Sequence, residues 1–130
     1  MENENNSNIP VYYFKKDRYR KARGGKTKLI DIYCSSCGTL LLIYQKDFLK
    51  GGLKRCYLDR IFYPPKYCDL QHREDIKSVK DIPKLQCENC KTVIGTLMRY
   101  NKQGEDRLAY NLIQNNLIKK NSTHGIGKDK

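Results

Sequence analysis

Apolar residues in this chain gather in short blocks of β-forming side chains, and the blocks come in two sets. In the first, Leu29-Ile30-Asp31-Ile32-Tyr33 and Thr39-Leu40-Leu41-Leu42-Ile43-Tyr44 are dense in aliphatic, β-branched and aromatic residues. A polar stretch from Gln45 ends in Gly51-Gly52, where the chain should turn. The next predicted strand runs from Leu53 to Tyr63, until Pro64-Pro65 stops it. In the second set, Leu85-Gln86, Thr92 to Tyr100 and Arg107 to Ile113 predict strands, with a turn near Gly104. Residues 64–83 between the sets read as a polar, charged insertion closed by Pro83.

The two sets repeat one another. Laying Cys87 on Cys34 also aligns Cys90 with Cys37, Thr92 with Thr39, Gly104 with Gly51, Arg107 with Lys54 and Tyr110 with Tyr57. Leu108, Ala109, Leu112, Ile113 and Leu117 also fit one face of a helix, so residues 107–118 carry two patterns, and the repeat decides for strand. The fold class that follows is mainly β. Residues 29–118 are expected to form a small zinc-clasped antiparallel β domain of two knuckle-plus-hairpin halves, with the insertion at 64–83. A disordered N-terminal tail is expected over 1–10, a basic aromatic arm over 11–28 and a polar C-terminal tail over 119–130.

The chemistry is concentrated in the knuckles Cys34-Ser-Ser-Cys37-Gly38 and Cys87-Glu-Asn-Cys90-Lys91. One C-x2-C is a weak signal. Two supply Cys34, Cys37, Cys87 and Cys90, the number of soft ligands a structural tetrahedral zinc takes, so one structural Zn2+ is the expected cofactor. A thioredoxin-like redox pair lacks its βαβ surroundings. Disulfides need an oxidising compartment, whereas Met1-Glu2-Asn3-Glu4-Asn5-Asn6 is no apolar leader, so an intracellular setting is expected, cytoplasmic or in the nucleoid or nucleus. A basic domain within 130 residues buries little apolar surface, and metal binding would add its free energy directly to folding. Cys68 and His72 make at most half of a second site, and Cys68 reads as local packing. Cys56 aligns with Ala109, which marks a small buried position rather than a reactive thiol, and His124 receives no metal role.

The net charge of +12 bears on partners rather than fold. Lys15, Lys16, Arg18, Arg20, Lys21, Arg23, Lys26 and Lys28 crowd the arm, with Tyr12, Tyr13, Phe14 and Tyr19 interleaved and Asp17 its one acid. Such cations displace counterions from phosphates, and Tyr and Arg faces stack on unpaired bases. On the strand from Leu53, strand alternation puts Arg55, Tyr57 and Asp59 on one face and Cys56 and Leu58 on the other. Arg55 and Tyr57 are therefore expected to extend the binding surface, with Lys54 and Arg60 beside them. The expected partner is nucleic acid, RNA rather than duplex DNA. The alternative is a zinc-dependent protein-interaction adaptor, and the plainest competing reading is that the charges only keep the protein soluble. No stretch approaches the roughly 20 apolar residues that span a bilayer. Edge strands permit self-pairing without requiring it, which leaves the oligomeric state open.

Two knuckles, each followed by a predicted hairpin, resemble the β-tent group of zinc domains. That group includes yippee proteins, the thalidomide-binding domain of cereblon, B-type methionine sulfoxide reductases and the C-terminal domains of innate immune RNA helicases. The local likeness is to the yippee ending, in Cys87-x2-Cys90-Lys91-Thr92-x-Ile94-Gly95-x3-Arg99-Tyr100. The Trp that follows this glycine in yippee proteins is missing, since the chain contains no Trp. A zinc ribbon of the kind found in ribosomal and transcription proteins is similar as well. The resemblance implies a zinc-bound binding module and allows one test of catalysis. B-type sulfoxide reductases carry a catalytic Cys beyond the second knuckle, and this chain has no Cys after Cys90. Four thiolates would close a zinc shell against water, and neither His72 nor His124 has a recognisable catalytic partner, so no enzymatic activity is expected.

Overall fold

A computed structural model of the chain describes residues 9–47 and 51–129. The tail expected over 1–10 lies, up to residue 8, outside the described residues. The elements in order are β1 (Val11–Tyr13), α1 (Arg18–Ala22), β2 (Lys28–Cys34), β3 (Leu40–Lys46), β4 (Arg55–Tyr57), β5 (Ile61–Tyr63), β6 (Leu85–Gln86), β7 (Val93–Lys102), β8 (Glu105–Leu112), β9 (Leu117–Asn121) and β10 (Ile126–Lys128). Single 3-10 turns link several of them. The strands make two four-stranded sheets, ordered β5-β3-β2-β9 and β4-β8-β7-β6, and a two-stranded parallel ribbon of β1 with β10.

The mainly β architecture follows from the blocks of apolar residues. Ile30 and Ile32 of β2, Leu42 and Tyr44 of β3, Ile94 of β7 and Tyr110 of β8 meet in one core shared by both sheets. The stretch 107–118, which also carried a helical period, is strand through Leu112, paired with β7 from Gly95↔Leu112 to Lys102↔Glu105. Gln103 and Gly104 at its turn both have positive φ, 54° and 78°, as a tight type I′ connection requires.

Three expectations are corrected. The hairpin after the first knuckle is split: β3 pairs antiparallel with β5, the end of the predicted strand, while β4, its start, leaves to pair with β8. The reason is a break inside the predicted strand 53–63, where Leu58–Arg60 forms a 3-10 turn and β5 begins afterwards. Leu58 and Arg60 both turn inward there, 1% exposed each. The insertion at 64–83 is polar in composition, yet it plugs Tyr67, Leu70 and Ile82 into the core. The polar tail at 119–130 is also structured, because pairing requires backbone rather than apolar side chains: β9 continues through Asn121 against β2, and β10 lies beside β1. Gly125 lets the aromatic side chains of the arm lie on it, since a Cβ there would stand 2.7 Å from the Tyr12 ring. A Cβ at Gly127 would collide with Phe14.

The arm over 11–28 is docked rather than free. Asp17 caps α1 by accepting from the N–H groups of Tyr19 and Arg20 at 3.1 and 3.2 Å. Its carboxylate also receives the Arg60 guanidinium at 2.6 and 3.1 Å, while Asp47 takes the same guanidinium's Nε at 2.8 Å. A buried cation is tolerated only when its donors are matched, and two carboxylates match this one. Burial pushes the Asp17 carboxyl up, but the Arg60 hydrogen bonds and charge and the two capping N–H groups outweigh it and hold its pKa below the usual value.

The stabilisation from Asp17 is therefore present above the ordinary Asp pKa and lost as pH falls through the lowered one. Asp17→Asn is expected to cost roughly 1–3 kcal/mol at neutral pH, because Arg60 keeps only part of its compensation and the capping oxygen survives. The gap between wild type and variant, measured by denaturant unfolding, should shrink on acidification. An unchanged gap would show that Asp17 does not hold the arm.

Candidate metal centre

Each knuckle is built by the same bonds. In the first, Cys34 N–H donates to Thr39 O at 2.9 Å and Gly38 N–H to Cys34 O at 2.8 Å. In the second, Cys87 N–H donates to Thr92 O at 2.9 Å and Lys91 N–H to Cys87 O at 2.9 Å. Gly38 and Lys91 both take left-handed backbone, φ 78° and 69°. That conformation is free for glycine and costs about 1 kcal/mol for lysine, and the Gln86 side chain holds the strained turn by donating to Lys91 O at 2.8 Å. Thr39 and Thr92, aligned by the repeat, place their hydroxyls 3.1 and 3.0 Å from the sulfurs of Cys37 and Cys90.

The four sulfurs converge, all within 4.8 Å of one another. Two contacts run between knuckles, Cys34 to Cys90 and Cys37 to Cys87, both at 3.6 Å. Ligands at about 2.3 Å from a tetrahedral centre would stand about 3.8 Å apart, so the donor set is placed to hold a metal ion. The Thr39 hydroxyl, then the Asn89 side chain and the Thr39 backbone, lower the Cys37 thiol to about 6. The Thr92 hydroxyl and backbone lower Cys90, whereas burial raises Cys87. Hydrogen bonds thus favour the thiolate on the exposed pair. Further bonds fasten the first knuckle to the other half: Ser35 bonds to the carbonyls of Asn115 and Asn116, and Asn116 Nδ2 donates to Val93 O at 2.8 Å.

Among the described residues this is the one group of three or more such ligands. Cys56 is fully buried opposite Tyr110, and burial pushes its thiol far up. Cys68 donates to Pro64 O at 3.3 Å, as local packing requires, and His72 is exposed.

The expected nucleic-acid-binding residues divide by exposure. Lys15, Lys16, Arg18, Lys21, Lys26 and Lys28 face solvent. Arg20 pairs with Asp129 at 2.9 Å, and Arg23 grips both oxygens of Glu105 at 2.7 and 2.9 Å. Tyr57, expected on an exposed face, is 7% exposed and offers no surface for stacking on bases. Arg60 is buried as well. The cause is α1, which covers this face: the Arg107 guanidinium is sandwiched 4.0 Å from the Tyr19 ring centroid and 3.7 Å from that of Tyr57. Arg55 lies half-buried, 4.5 Å over the Tyr100 ring.

His124, expected to be isolated, meets fully buried Asp31 at 2.9 Å through Nδ1, beside donors from Ser122 Oγ at 2.7 Å and Thr123 N–H at 2.9 Å. Burial raises the Asp31 carboxyl, but the bonds from His124, Ser122 and Thr123 bring it below its usual value. The signal for this cluster was Asp31 itself, an acid inside an apolar strand that needed partners.

Cys34→Ser or Cys87→Ser is expected to abolish cooperative folding, and chelation of the wild type should do the same. Cys56→Ala, which removes only a buried sulfur, should cost about 1 kcal/mol. Thermal melting with metal analysis checks both, and a chelated, metal-free protein that melted as before would overturn the clasp. No family model, curated protein or solved structure matches this chain, so the site stands on its geometry alone.

Proposed function

We propose that the chain is a non-catalytic module, held by one zinc ion at Cys34, Cys37, Cys87 and Cys90, that binds nucleic acid, RNA rather than duplex DNA. An all-thiolate tetrahedral set suits zinc and leaves no open position for a reacting water. The observation that carries the binding reading is how the arm divides its cations. Arg20 and Arg23 dock it through Asp129 and Glu105, while Lys15, Lys16, Arg18, Lys21, Lys26 and Lys28 are exposed on the held scaffold, Lys15 at a long 3.9 Å from Asp69. Phosphates reward such a surface through counterion release. A five-residue α1 is too short to fill a major groove, which favours backbone and unpaired-base contacts over duplex readout.

Against catalysis, His124 engages Asp31 and Tyr33 through Nδ1, and no nucleophile stands at its other nitrogen among the described contacts. Four clustered cysteines read as zinc thiolates rather than disulfides suit a reducing intracellular setting. No helix among the described residues is long and apolar enough to cross a membrane. The adaptor reading draws support from the β1–β10 ribbon, whose Val11, Tyr13 and Ile126 are exposed.

Fluorescence anisotropy with labelled single-stranded RNA and duplex DNA tests the proposal. RNA should bind more tightly, its affinity should fall with added salt, and Lys15, Lys16, Arg18 and Lys21 together changed to Gln should weaken it at least about tenfold. No binding at low salt, or an unaffected variant, would overturn the reading. A protein partner retained through nuclease treatment and lost on Val11→Asp would establish the adaptor instead.

A further inference from the structure

Asp31 is a fully buried carboxylate set in the apolar strand β2, and the turn between β9 and β10 is folded around it. Ser122 Oγ donates to it at 2.7 Å, Thr123 N–H at 2.9 Å and the Tyr33 hydroxyl at 3.3 Å, while His124 Nδ1 stands 2.9 Å away. These bonds hold the Asp31 carboxyl below its usual pKa, so at neutral pH it accepts and cannot donate. The hydrogen between them therefore sits on Nδ1, which fixes the tautomer and leaves a lone pair on Nε2. The described hydrogen bonds of this ring all run through Nδ1, and its side chain is 49% exposed. Pinning the turn requires only Nδ1. A half-exposed ring whose tautomer is imposed by a buried carboxylate is also a preorganised acceptor for a hydroxyl.

The surroundings decide which hydroxyl. Lys120, exposed on β9 and opposite Asp31 in the ladder, holds its Nζ 5.7 Å from the centre of the Tyr33 ring, and that ring meets His124 edge-on at 6.0 Å. A cation for a phosphate thus stands one aromatic ring away from an acceptor for a hydroxyl. RNA presents both groups together, since each ribose carries its 2′-hydroxyl beside a phosphate. β10 links this corner to the arm: His124 precedes it, and Asp129 after it pairs with Arg20 at 2.9 Å. Five residues of extended chain cover at most about 16 Å, a distance that a few nucleotides can span.

We propose that His124 Nε2 accepts a hydrogen bond from a ribose 2′-hydroxyl, with Lys120 on the adjoining phosphate, and so lets the module tell RNA from single-stranded DNA. The proposal rests on the reading of the chain as an RNA binder. It adds what the arm lacks, because cations reward the phosphates of either kind of strand. Fluorescence anisotropy on the zinc-loaded full chain at pH 8 should compare an adenine–cytosine RNA of about 12 nucleotides with DNA and 2′-O-methyl RNA of the same sequence. RNA should bind at least about fivefold more tightly than either, the effect of one such bond. His124→Asn keeps a donor near the position of Nδ1 for Asp31 and loses Nε2. It should melt near the wild type, lower RNA to the affinity of DNA and leave DNA binding unchanged. Lys120→Gln should weaken RNA and DNA by the same factor and preserve their ratio. Equal wild-type binding of RNA, DNA and 2′-O-methyl RNA would overturn the inference without any variant, and would leave the preference for RNA over duplex DNA standing. A ratio unchanged in His124→Asn would remove His124 from the contact, and absence of all RNA binding would sink both readings.

Discussion

Convergence of four sulfurs from two knuckles is the constraint on which the remaining architecture depends. Cys34 ends β2 in one sheet and Cys87 follows β6 in the other, so any ion held there ties the two sheets at one corner. Sulfur contacts of 3.6 Å cross between the knuckles, Cys34 to Cys90 and Cys37 to Cys87. The matching hydrogen bonds in the two turns show that the repeat extends to the bonds that aim each thiol, with Thr39 and Thr92 in equivalent roles. The halves diverge only beyond the knuckles, where β4 crosses to the sheet of the second half and ties the two a second time.

A second set of contacts sits opposite the clasp and is ionic and aromatic. Arg60 and Arg107, both almost fully buried, project from the core toward the arm. One meets Asp17, and the other slips between Tyr19 and Tyr57. Each would be expensive alone, because a buried guanidinium loses its hydration. The arm supplies Asp17 to Arg60 and the Tyr19 face to Arg107, whose charge also meets Asp59 at 2.7 Å, and in return it is fixed as a scaffold. A charge count treats all the basic residues alike. The structure divides them into cations buried in contacts that hold the protein together and cations that remain exposed, and only the second kind bears on partners.

The knuckles, the strand blocks and the turn at Gly104 were legible in the sequence because each rests on local chemistry: ligand spacing, β-forming side chains and a positive φ. Alternation also placed Cys56 and Tyr57 on opposite faces, yet both are buried. A period of two says which residues share a face and leaves open what covers it. The face of Tyr57 is covered by α1, a contact between residues far apart in sequence. The break at Leu58–Arg60 was hidden for a related reason, since Arg60 reads as a solvated cation until Asp17 and Asp47 are brought to it. The final strands were missed because backbone pairing against β2 and β1 leaves little trace in side-chain polarity. Gly125 and Gly127 were the visible marks, empty of side chain where Tyr12 and Phe14 come to rest.

A cavity of about 590 Å³ beside the Arg23 end of α1 follows from both sets of contacts. Its walls come from β3, β4 and the β7–β8 hairpin, which belong to different sheets, and from the end of α1. The clasp brings those sheets together at one end, and Asp17, Arg60 and Arg107 close α1 over the other. Loss of either fastening would separate the β3 wall from the β7–β8 wall. Asp47 joins the two functions directly: it stands in the cavity lining while its carboxylate holds the guanidinium that docks the arm. Packing therefore assembles this region from three separate elements before any partner is considered.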